Sequence, residues 1–487
     1  MAKAHANIGV SEQRSFDSPT LDLRDWIQKV KAFGELREVL GADRDVDIGP
    51  LTQTAEGMAN GGPALLFDRI IGFPSGFRIL TNANNSIRRF SCTSGFEECL
   101  SIRDAIQSWR RLTTSLKSMP PVEVEDGPVT ENVVEGSNID LSIFPTPQWH
   151  AYDGGRYIGT GDVVITTDPV SGKVNLGTYR MMIIGKNTLA GWIANGKHAA
   201  LHREKYFEQG KPCPVVVSCG HHPLYLLAGA SGMRQDLSEL DIVGSIAGRA
   251  VEVIRGRHTG LPIPANSEIA IEGEFLPNET VIEGPFGEWT GYYASPSRAE
   301  PILKVKSLYF RNDPIILGSP PSKPSPSNIQ NRIQRSIAIE DHLLSCGLPG
   351  IKGVWLHQPG GTRYFLAISI KQNYPGHAKQ VAMSALGGKN SNYLGRFVVI
   401  VDDDIDVTDL NDVLWAVSTR CDPKDAISII DGFWTSPLDP AIPWETKKTS
   451  SRAVIDACWP YERLPNVPKS CNITAEEKEQ MQKKWKL

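Results

Sequence analysis

The chain has 487 residues, with 51 Lys and Arg against 55 Asp and Glu, so its formal net charge is −4. This near balance, without a block of basic residues, argues against a nucleic-acid-binding protein of the usual basic kind. Hydrophobic residues at 40% and charged residues at 22% are ordinary for a folded protein, which excludes extensive disorder. At roughly 100–200 residues per domain, the length predicts two or three domains.

Neither a membrane span nor an export signal is predicted. No apolar run reaches the roughly 18 residues of a transmembrane helix, and residues 1–7 lack an apolar core. The eight cysteines are scattered without a CxxC pair, as is typical of reduced thiols in the cytoplasm. We therefore expect a cytoplasmic protein without a Cys-rich structural zinc site.

The N-terminal region mixes predicted helices with short strands. Asp22 can cap a helix that Gly34 ends, and the apolar face of that helix comprises Leu23, Trp26, Ile27, Val30 and Phe33. Residues 36–40 follow as a first strand, and the two prolines at 120–121 mark the end of the region.

From about residue 155 the pattern becomes rich in β-structure. Residues 162–167 and 174–184 predict two strands that the turn 168–172 joins into a hairpin. More strands are predicted at 215–217, 269–272 and 302–306, with helices near 197–208 and 238–249. This order favours a β-rich barrel or sandwich carrying helices over a doubly wound sheet.

Residues 318–328 cannot be helical, because their prolines lack amide donors and fix φ. A connecting helix is predicted over 329–346, and strands at 365–370 and 397–401 then alternate with helices near 377–385 and 409–419. That alternation predicts a compact α/β domain. A last helix, opened by the capping-box pair Thr474 and Glu477, is predicted to reach Trp485. Whether it packs on a partner chain or lies in solvent stays open.

Several common catalytic motifs are missing from the sequence. There is no GxGxxG motif opening a helix after a strand, no phosphate-binding GxxxxGK[ST] motif, and residues 229–232 lack the final Gly of a nucleophile elbow. His198 and His202 are four residues apart, but Ala199 replaces the Glu that a zinc protease needs. The usual nucleotide-binding, serine hydrolase and zinc protease classes are therefore poorly supported.

The most informative segment is 283–288, Glu-Gly-Pro-Phe-Gly-Glu, which places two carboxylates five residues apart. Its backbone is rigid at Pro285 and permissive at the glycines, as suits a loop that holds acids at a pocket. Aromatic neighbours would raise a carboxyl pKa toward neutrality. The residues alone leave two interpretations open, namely a pair of pocket acids or a surface turn with solvated glutamates.

Arg180 lies within the otherwise apolar segment 174–184 and would be costly to bury without an anion. It therefore predicts either a substrate or a carboxylate partner, and a purely structural salt bridge stays open. Asn175 is five residues away, so in a regular strand the two side chains would face opposite sides. Together with His198 and Glu239, Asn175 would offer oxygen and imidazole ligands that suit Mg²⁺ or Mn²⁺.

With these motifs the chain resembles the UbiD-like reversible decarboxylases, which use prenylated FMN. The resemblance covers nearly the whole chain and rests on residues 34–36, 283–288, 403–407 and 412–421. It implies an α/β (α+β) fold, in which a connecting helix joins a split β-barrel-like flavin-binding domain to a C-terminal α/β domain. The implied division is an N-terminal α/β region (1–125), the split barrel (126–318), a loop and connecting helix (319–346) and a C-terminal oligomerisation domain (347–487).

The resemblance also implies a role for each site residue. Arg180, Glu283 and Glu288 would form the catalytic network, with Glu288 as the proton donor. Asn175, His198 and Glu239 would bind Mn²⁺ or Mg²⁺, beside K⁺ or Na⁺, and so hold the flavin phosphate. The implied cofactor-binding residues are Asn175, Arg180, Lys197, His198, Ser231, Met233, Glu239 and Lys389. The family's proline-rich substrate loop usually carries acids, whereas residues 319–328 carry none.

The implied activity is a reversible, non-oxidative decarboxylation that releases CO₂ from an aromatic, heteroaromatic or α,β-unsaturated carboxylic acid. The implied partners are a second copy of the chain, in a homodimer or homohexamer, and a flavin prenyltransferase that supplies the cofactor. Two alternatives remain at this point. One is a non-catalytic flavin-binding homologue or assembly subunit of a multi-subunit carboxylase, and the other is a metal-dependent hydrolase that uses His198 and Glu239.

Overall fold

The computed structural model describes residues 19–231, 236–323, 329–388, 391, 394–443, 445, 449–471, 473 and 475–485. The helices in this part of the chain are α1 Leu23–Ala32, α2 Ile48–Glu56, α3 Ile87–Ser94, α4 Ile102–Ser115, α5 His198–Glu208, α6 Pro223–Ser231, α7 Glu239–Ala247, α8 Ile329–Ser345, α9 His377–Gly387, α10 Leu410–Arg420, α11 Pro423–Ala426 and α12 Ala475–Trp485.

The strands in the same part of the chain are β1 Leu36–Leu40, β2 Ala64–Asp68, β3 Arg78–Thr81, β4 Val122–Glu123, β5 Asn132–Glu135, β6 Arg156–Gly159, β7 Val163–Thr167, β8 Val174–Gly177, β9 Met181–Gly185, β10 Thr188–Gly191, β11 Cys213–Gly220, β12 Glu252–Arg255, β13 Pro262–Pro264, β14 Ile269–Glu283, β15 Arg298–Phe310, β16 Ile315–Gly318, β17 Ile351–Leu356, β18 Phe365–Ile370, β19 Phe397–Asp402, β20 Ile427–Trp434 and β21 Thr449–Ala457.

The first sheet combines the N-terminal strands with a strand from much later in the chain. Its order is β1-β2-β3-β16, and β16 pairs in parallel with β3. Helix α1 covers this sheet, since Leu23, Trp26 and Val30 share a core cluster with residues of β2 and β3. The predicted cap is confirmed, because Asp22 Oδ1 accepts a hydrogen bond of 2.7 Å from the amide of Arg24.

The central sheet is a curled, nine-stranded antiparallel sheet with the path β6-β9-β10-β15-β14-β11-β7-β8, while β5 pairs with β15. Alternate residues of β11 enter different cores, because Val215 and Val217 lie in one cluster and Val216 in another. Helices α6 and α7 contribute to the second of these clusters. The predicted helix-decorated β-domain is thus confirmed, and β14 and β15 are longer than the predicted strands.

The predicted single strand over 174–184 is wrong. The structure has two strands, β8 and β9, with residues 178–180 between them outside regular structure. The chain leaves one pairing for another at this point, since β8 pairs with β7 whereas β9 pairs with β6 and β10. Arg180 therefore lies in the break, and the argument that it faces the side opposite to Asn175 does not apply.

After α8, the C-terminal part forms a five-stranded sheet with the order β17-β18-β19-β21-β20. Strands β18, β19 and β21 are parallel, and helices α9 and α10 pack on them as in other α/β domains. The predicted strands and helices here are confirmed, so the α/β fold class with a C-terminal α/β domain is confirmed too. Thr474, predicted to cap the last helix, lies outside the described residues.

Two further expectations can be compared with the structure. All eight cysteines are free thiols, in agreement with the scattered spacing. Among the helices of the described part of the chain, none combines the length and the apolar character needed to cross a membrane.

Asp22 should contribute to stability through two separate contacts. Besides capping α1, its Oδ2 binds the Nη1 of Arg311 at 2.8 Å. Asp22→Ala removes both contacts and should destabilise the protein by about 1 kcal/mol or more, whereas Asp22→Asn keeps a capping oxygen and should lose less. Thermal unfolding midpoints of the two variants check this order, and equal midpoints would contradict the capping role.

Candidate active site

Arg180, Glu283 and Glu288 form one buried ion network. Arg180 binds both carboxylate oxygens of Glu283, with Nε 2.8 Å from Oε1 and Nη2 3.0 Å from Oε2. Its Nη1 donates to Oε1 of Glu288. The side chain of Glu283 is fully buried, and those of Glu288 and Arg180 are only 6% and 8% exposed. The sequence-predicted trio is therefore brought together, and the interpretation as a solvated surface turn is wrong.

The segment 283–288 is held in place by a turn at residues 150–154. Gly154 donates to the carbonyl of Pro285 at 2.8 Å, and the amide of Gly287 donates to Oδ1 of the buried Asp153 at 2.9 Å. Gly154 is required for this contact, because a Cβ there would lie 2.0 Å from the carbonyl oxygen of Gly284. Gly284 itself has φ +82°, which favours glycine.

Three aromatic residues surround the guanidinium end of the network. The Cζ atom of Arg180 lies 4.7 Å from the ring centre of Trp192 and 5.1 Å from that of Phe286. The hydroxyl of Tyr157 donates to Oε1 of Glu283 at 2.9 Å. Burial, followed by the Glu283 charge, raises the pKa of Tyr157, so its proton stays available for this bond. These contacts fix the orientation of Arg180.

The electrostatics of the network distinguish its members. Burial lowers the pKa of Arg180, but the hydrogen bonds and charges of the glutamates outweigh burial and leave the pKa above its usual value. Burial raises the pKa of Glu288, and the charges of Arg180 and, less strongly, Arg298 oppose this shift only in part. Arg180 therefore faces two acids in a buried site with Arg298 as a second cation nearby, and the raised pKa of Glu288 favours its protonated form.

Asn175, His198 and Glu239 converge on strand β8. Oδ1 of Asn175 lies 2.9 Å from Nδ1 of His198 at the start of α5, and Oε2 of Glu239 at the start of α7 accepts from the amide of Leu176 at 3.0 Å. An amide oxygen, an imidazole and a carboxylate fit Mn²⁺ or Mg²⁺. Within the described residues no group of three His, Cys, Asp or Glu side chains is arranged for a metal, so an ion here needs Asn175.

The first turn of α5 also fits an anionic group. Lys197 occupies the capping position and makes no side-chain hydrogen bond to that turn. Lys197 is exposed, yet surrounding protein atoms lower its pKa, helped by the charges of Arg363 and Arg335. The start of α5 is thus a region of positive charge, to which Arg363 and Arg335 contribute together with Lys197.

The remaining cofactor-binding predictions are only partly visible. Ser231 is the last residue of α6, but its side chain is not among those described, and Met233 and Lys389 lie outside the described residues. A cleft of about 140 Å³ adjoins this end of α6, smaller than the roughly 300–1,000 Å³ of most ligand pockets. Its lining includes Thr160, Thr178, Ala230, Ser319, Gln330 and Asn331.

The sequence analysis missed Tyr157, His150 and Asp153 as residues of this site. Asp153 and Tyr157 act on a segment some 130 residues later in the chain, which no local periodicity reports. The one available signal is the glycine pair 154–155 between them, since adjacent glycines before a strand indicate close backbone contact.

Comparison with known proteins identifies relatives of the chain. Residues 121–324 match the family model described as the UbiD 3-octaprenyl-4-hydroxybenzoate carboxy-lyase Rift-related domain, and residues 332–457 match the corresponding C-terminal domain. A pyrrole-2-carboxylic acid decarboxylase of Pseudomonas aeruginosa is 30% identical over 469 residues, which cover 91% of this chain and 92% of the relative.

Solved structures agree with these matches. The UbiD-class enzyme HmfF of Pelotomaculum thermopropionicum in complex with FMN superposes with a TM-score of 0.83 at 28% identity, covering 94% of this chain and 98% of that one. An evolved dimeric form of the same enzyme in complex with prFMN gives a TM-score of 0.80 at 27% identity, with the same coverage.

Replacing Arg180 by Met should destabilise the protein in a pH-dependent way. The variant leaves two acids buried without their cation, which costs about 3 kcal/mol when they are ionised. Protonation relieves this cost, so the difference from the wild-type protein should be larger at pH 8 than at pH 5.5. Thermal unfolding at both pH values measures the effect.

Arg255→Met is the control, because the exposed pair of Arg255 with Glu123 should contribute little at either pH. A pH-independent loss of stability in the Arg180 variant would contradict the buried ion network.

Proposed function

The chain belongs to the UbiD family of decarboxylases, and we propose that it catalyses the reversible, non-oxidative decarboxylation of an aromatic, heteroaromatic or α,β-unsaturated acid with prenylated FMN. The relative that acts on pyrrole-2-carboxylic acid favours a heteroaromatic substrate. The single observation that carries the proposal is the buried contact of Arg180 with both Glu283 and Glu288.

The proposed reaction needs a cofactor for a simple electronic reason. Loss of CO₂ from an sp² carbon leaves an electron pair in the plane of the ring, where the π system cannot delocalise it, and no side chain is an adequate electron acceptor. Bound prenylated FMN would supply that acceptor. The FMN and prFMN complexes of HmfF support a flavin in this fold.

The residues proposed to hold the flavin phosphate lie around the starts of α5 and α7. Asn175, His198 and Glu239 would bind Mn²⁺ or Mg²⁺, with K⁺ or Na⁺ beside it, and the metal would neutralise part of the phosphate charge. Lys197 would add a positive charge at the uncapped first turn of α5. Ser231, Met233 and Lys389 remain proposed contacts to the same cofactor.

The chain's own contribution to catalysis is orientation, exclusion of water and transfer of one proton. Glu288, whose pKa burial raises, would hold a proton and donate it to the carbon atom that has lost CO₂. Arg180 would then stabilise the carboxylate left on Glu288, since its Nη1 already contacts that oxygen. In the carboxylation direction Glu288 would remove the proton from the same carbon.

Glu283 would serve as the fixed acid of the network. Its two oxygens accept from Arg180, and Tyr157 provides a further donor to Oε1. With three hydrogen bonds holding it, this carboxylate can keep the guanidinium aimed at Glu288 throughout the reaction.

The two alternative functions have less support. A non-catalytic flavin-binding homologue or assembly subunit would not require Arg180, Glu283 and Glu288 to stay in contact inside a dry site. A metal-dependent hydrolase that uses His198 and Glu239 would not account for the buried contacts of Arg180 with the two glutamates. We further propose that the enzyme is a homodimer or homohexamer and receives its cofactor from a separate flavin prenyltransferase.

Glu288→Gln should keep the cofactor and lose turnover, because an amide cannot donate the required proton. After co-expression with a flavin prenyltransferase, CO₂ release from pyrrole-2-carboxylate and other candidate acids should fall by about 10²–10⁴-fold. Flavin absorbance of the purified protein should be unchanged.

The matched control is Glu274→Gln on the same strand that ends at Glu283, where the carboxylate pairs with the partly exposed Lys306. This control should retain wild-type turnover. A Glu288→Gln enzyme that releases CO₂ at the wild-type rate would disprove the proton-donor role.

Glu239→Gln should weaken the hold on the cofactor rather than the proton transfer. Loss of one anionic metal ligand lowers metal affinity, so the variant should purify with less flavin and less Mn²⁺ than the wild-type protein. Absorbance spectra and metal analysis check both quantities, and dialysis against a chelator should release flavin from the wild-type enzyme. Flavin content that is insensitive to both treatments would contradict the proposed metal site.

A further inference from the structure

His150 lies between the Glu288 segment and the proline-rich segment 319–323. Its Nδ1 is 3.1 Å from Oδ2 of Asp153, and its Nε2 is 2.7 Å from the carbonyl oxygen of Pro321. The side chain is only 14% exposed, and that of Asp153 is fully buried. The ring also packs edge-on against Phe286, with centroids 5.6 Å apart.

The hydrogen bonds of His150 define its charge. A carbonyl oxygen only accepts, and the oxygens of Asp153 already accept from the amides of Gly287 and His150. Both ring nitrogens therefore have to donate, which requires the imidazolium form. The direction of the His150 pKa shift agrees with the imidazolium form. Burial lowers this pKa, but the hydrogen bond and charge of Asp153, with a smaller effect of Glu288, leave it raised.

Hydrogen bonds from two serines hold the proline-rich segment 319–323 against the rest of the protein. The hydroxyl of Ser322 donates to the buried carboxyl of Glu56 in α2 at 2.5 Å, and the amide of Ser319 donates to Thr160 at 3.1 Å. Burial raises the pKa of Glu56 to about 7, against opposing effects of Ser322 and His150. The segment has no acid of its own, so Glu56 and Asp153 provide the carboxylates at this boundary of the site.

We propose that His150 is a positioning residue for the proton donor Glu288. Its imidazolium joins the segment 319–323 to Asp153, and Asp153 holds the amide of Gly287, the residue directly before Glu288. No contact with substrate is needed for this role. The inference rests on the proposed function, because holding Glu288 in one position matters for catalysis only if Glu288 is the proton donor.

Close packing supports the connection between His150 and the Glu288 segment. A Cβ added at Gly287 would lie 2.7 Å from Nδ1 of His150, so glycine is needed for the imidazole to approach the backbone. Gly287→Ala therefore offers a way to displace His150 without changing its chemistry.

The first test is kinetic. His150→Gln retains a polar side chain of similar size but cannot donate to two opposite acceptors, so kcat should fall about tenfold while KM and flavin content stay within twofold. Asp153→Asn should behave similarly, and the double variant should be no slower than the slower single variant, because both act through one contact. Gly287→Ala should reproduce the fall in kcat.

The control is His258→Gln, since His258 is exposed and lies in a weak pair with Glu135 away from the network. It should leave kcat unchanged. Wild-type kcat in His150→Gln, or effects of the two single variants that multiply in the double variant, would overturn the proposal.

The second test does not depend on activity. In ¹⁵N-histidine-labelled protein, both ring nitrogens of His150 should be protonated at pH 7, with the signal assigned by its loss in His150→Gln. A neutral ring at pH 7 would overturn the proposal even if the variant were slow. If the wild-type enzyme released no CO₂ from any acid, the proposed function would fail, and the NMR result would still decide the charge of His150.

Discussion

The site depends on the burial of one guanidinium with two carboxylates. Fully ionised, these three side chains would carry one excess negative charge in a buried site, which the partly exposed Arg298 nearby offsets in part. The structure resolves this by holding Glu283 with three hydrogen bonds and leaving Glu288 with a raised pKa. The raised pKa favours a bound proton on Glu288, and the adjacent Arg180 can stabilise the carboxylate that remains after that proton is transferred.

Backbone packing turns this charge arrangement into a defined geometry. The turn 150–154 lies against 284–287 so closely that Gly154 has no room for a side chain. One backbone hydrogen bond, from Gly154 to Pro285, and the carboxylate of the buried Asp153 then fix the loop. The acids are thus positioned by elements that take no part in proton transfer, and a rigid boundary of this kind is what precise orientation requires.

Local signals predicted much of the fold, and the misses have a common physical origin. Helix α1 and strand β1 could be predicted because a capping aspartate and a helical repeat act over a few residues. Burial cost alone indicated that Arg180 needs an anion, and the resemblance supplied its partners. The break at residues 178–180 was missed because it arises where the chain changes strand partners, and Tyr157 and Asp153 were missed because their partners are distant in sequence.

Strand β16 makes the N-terminal region inseparable from the rest of the chain. It follows the long strands of the central sheet in the chain, but it pairs with β3 of the N-terminal region. In addition, the buried Glu268, just before β14, forms salt bridges with Arg24 and Arg311. A fragment trimmed to the boundaries of the matched family models would expose the edge of β16 and leave that carboxylate short of a cation, both of which promote aggregation or misfolding. The N-terminal residues that supply β3 and Arg24 therefore belong to the same folding unit as the central sheet.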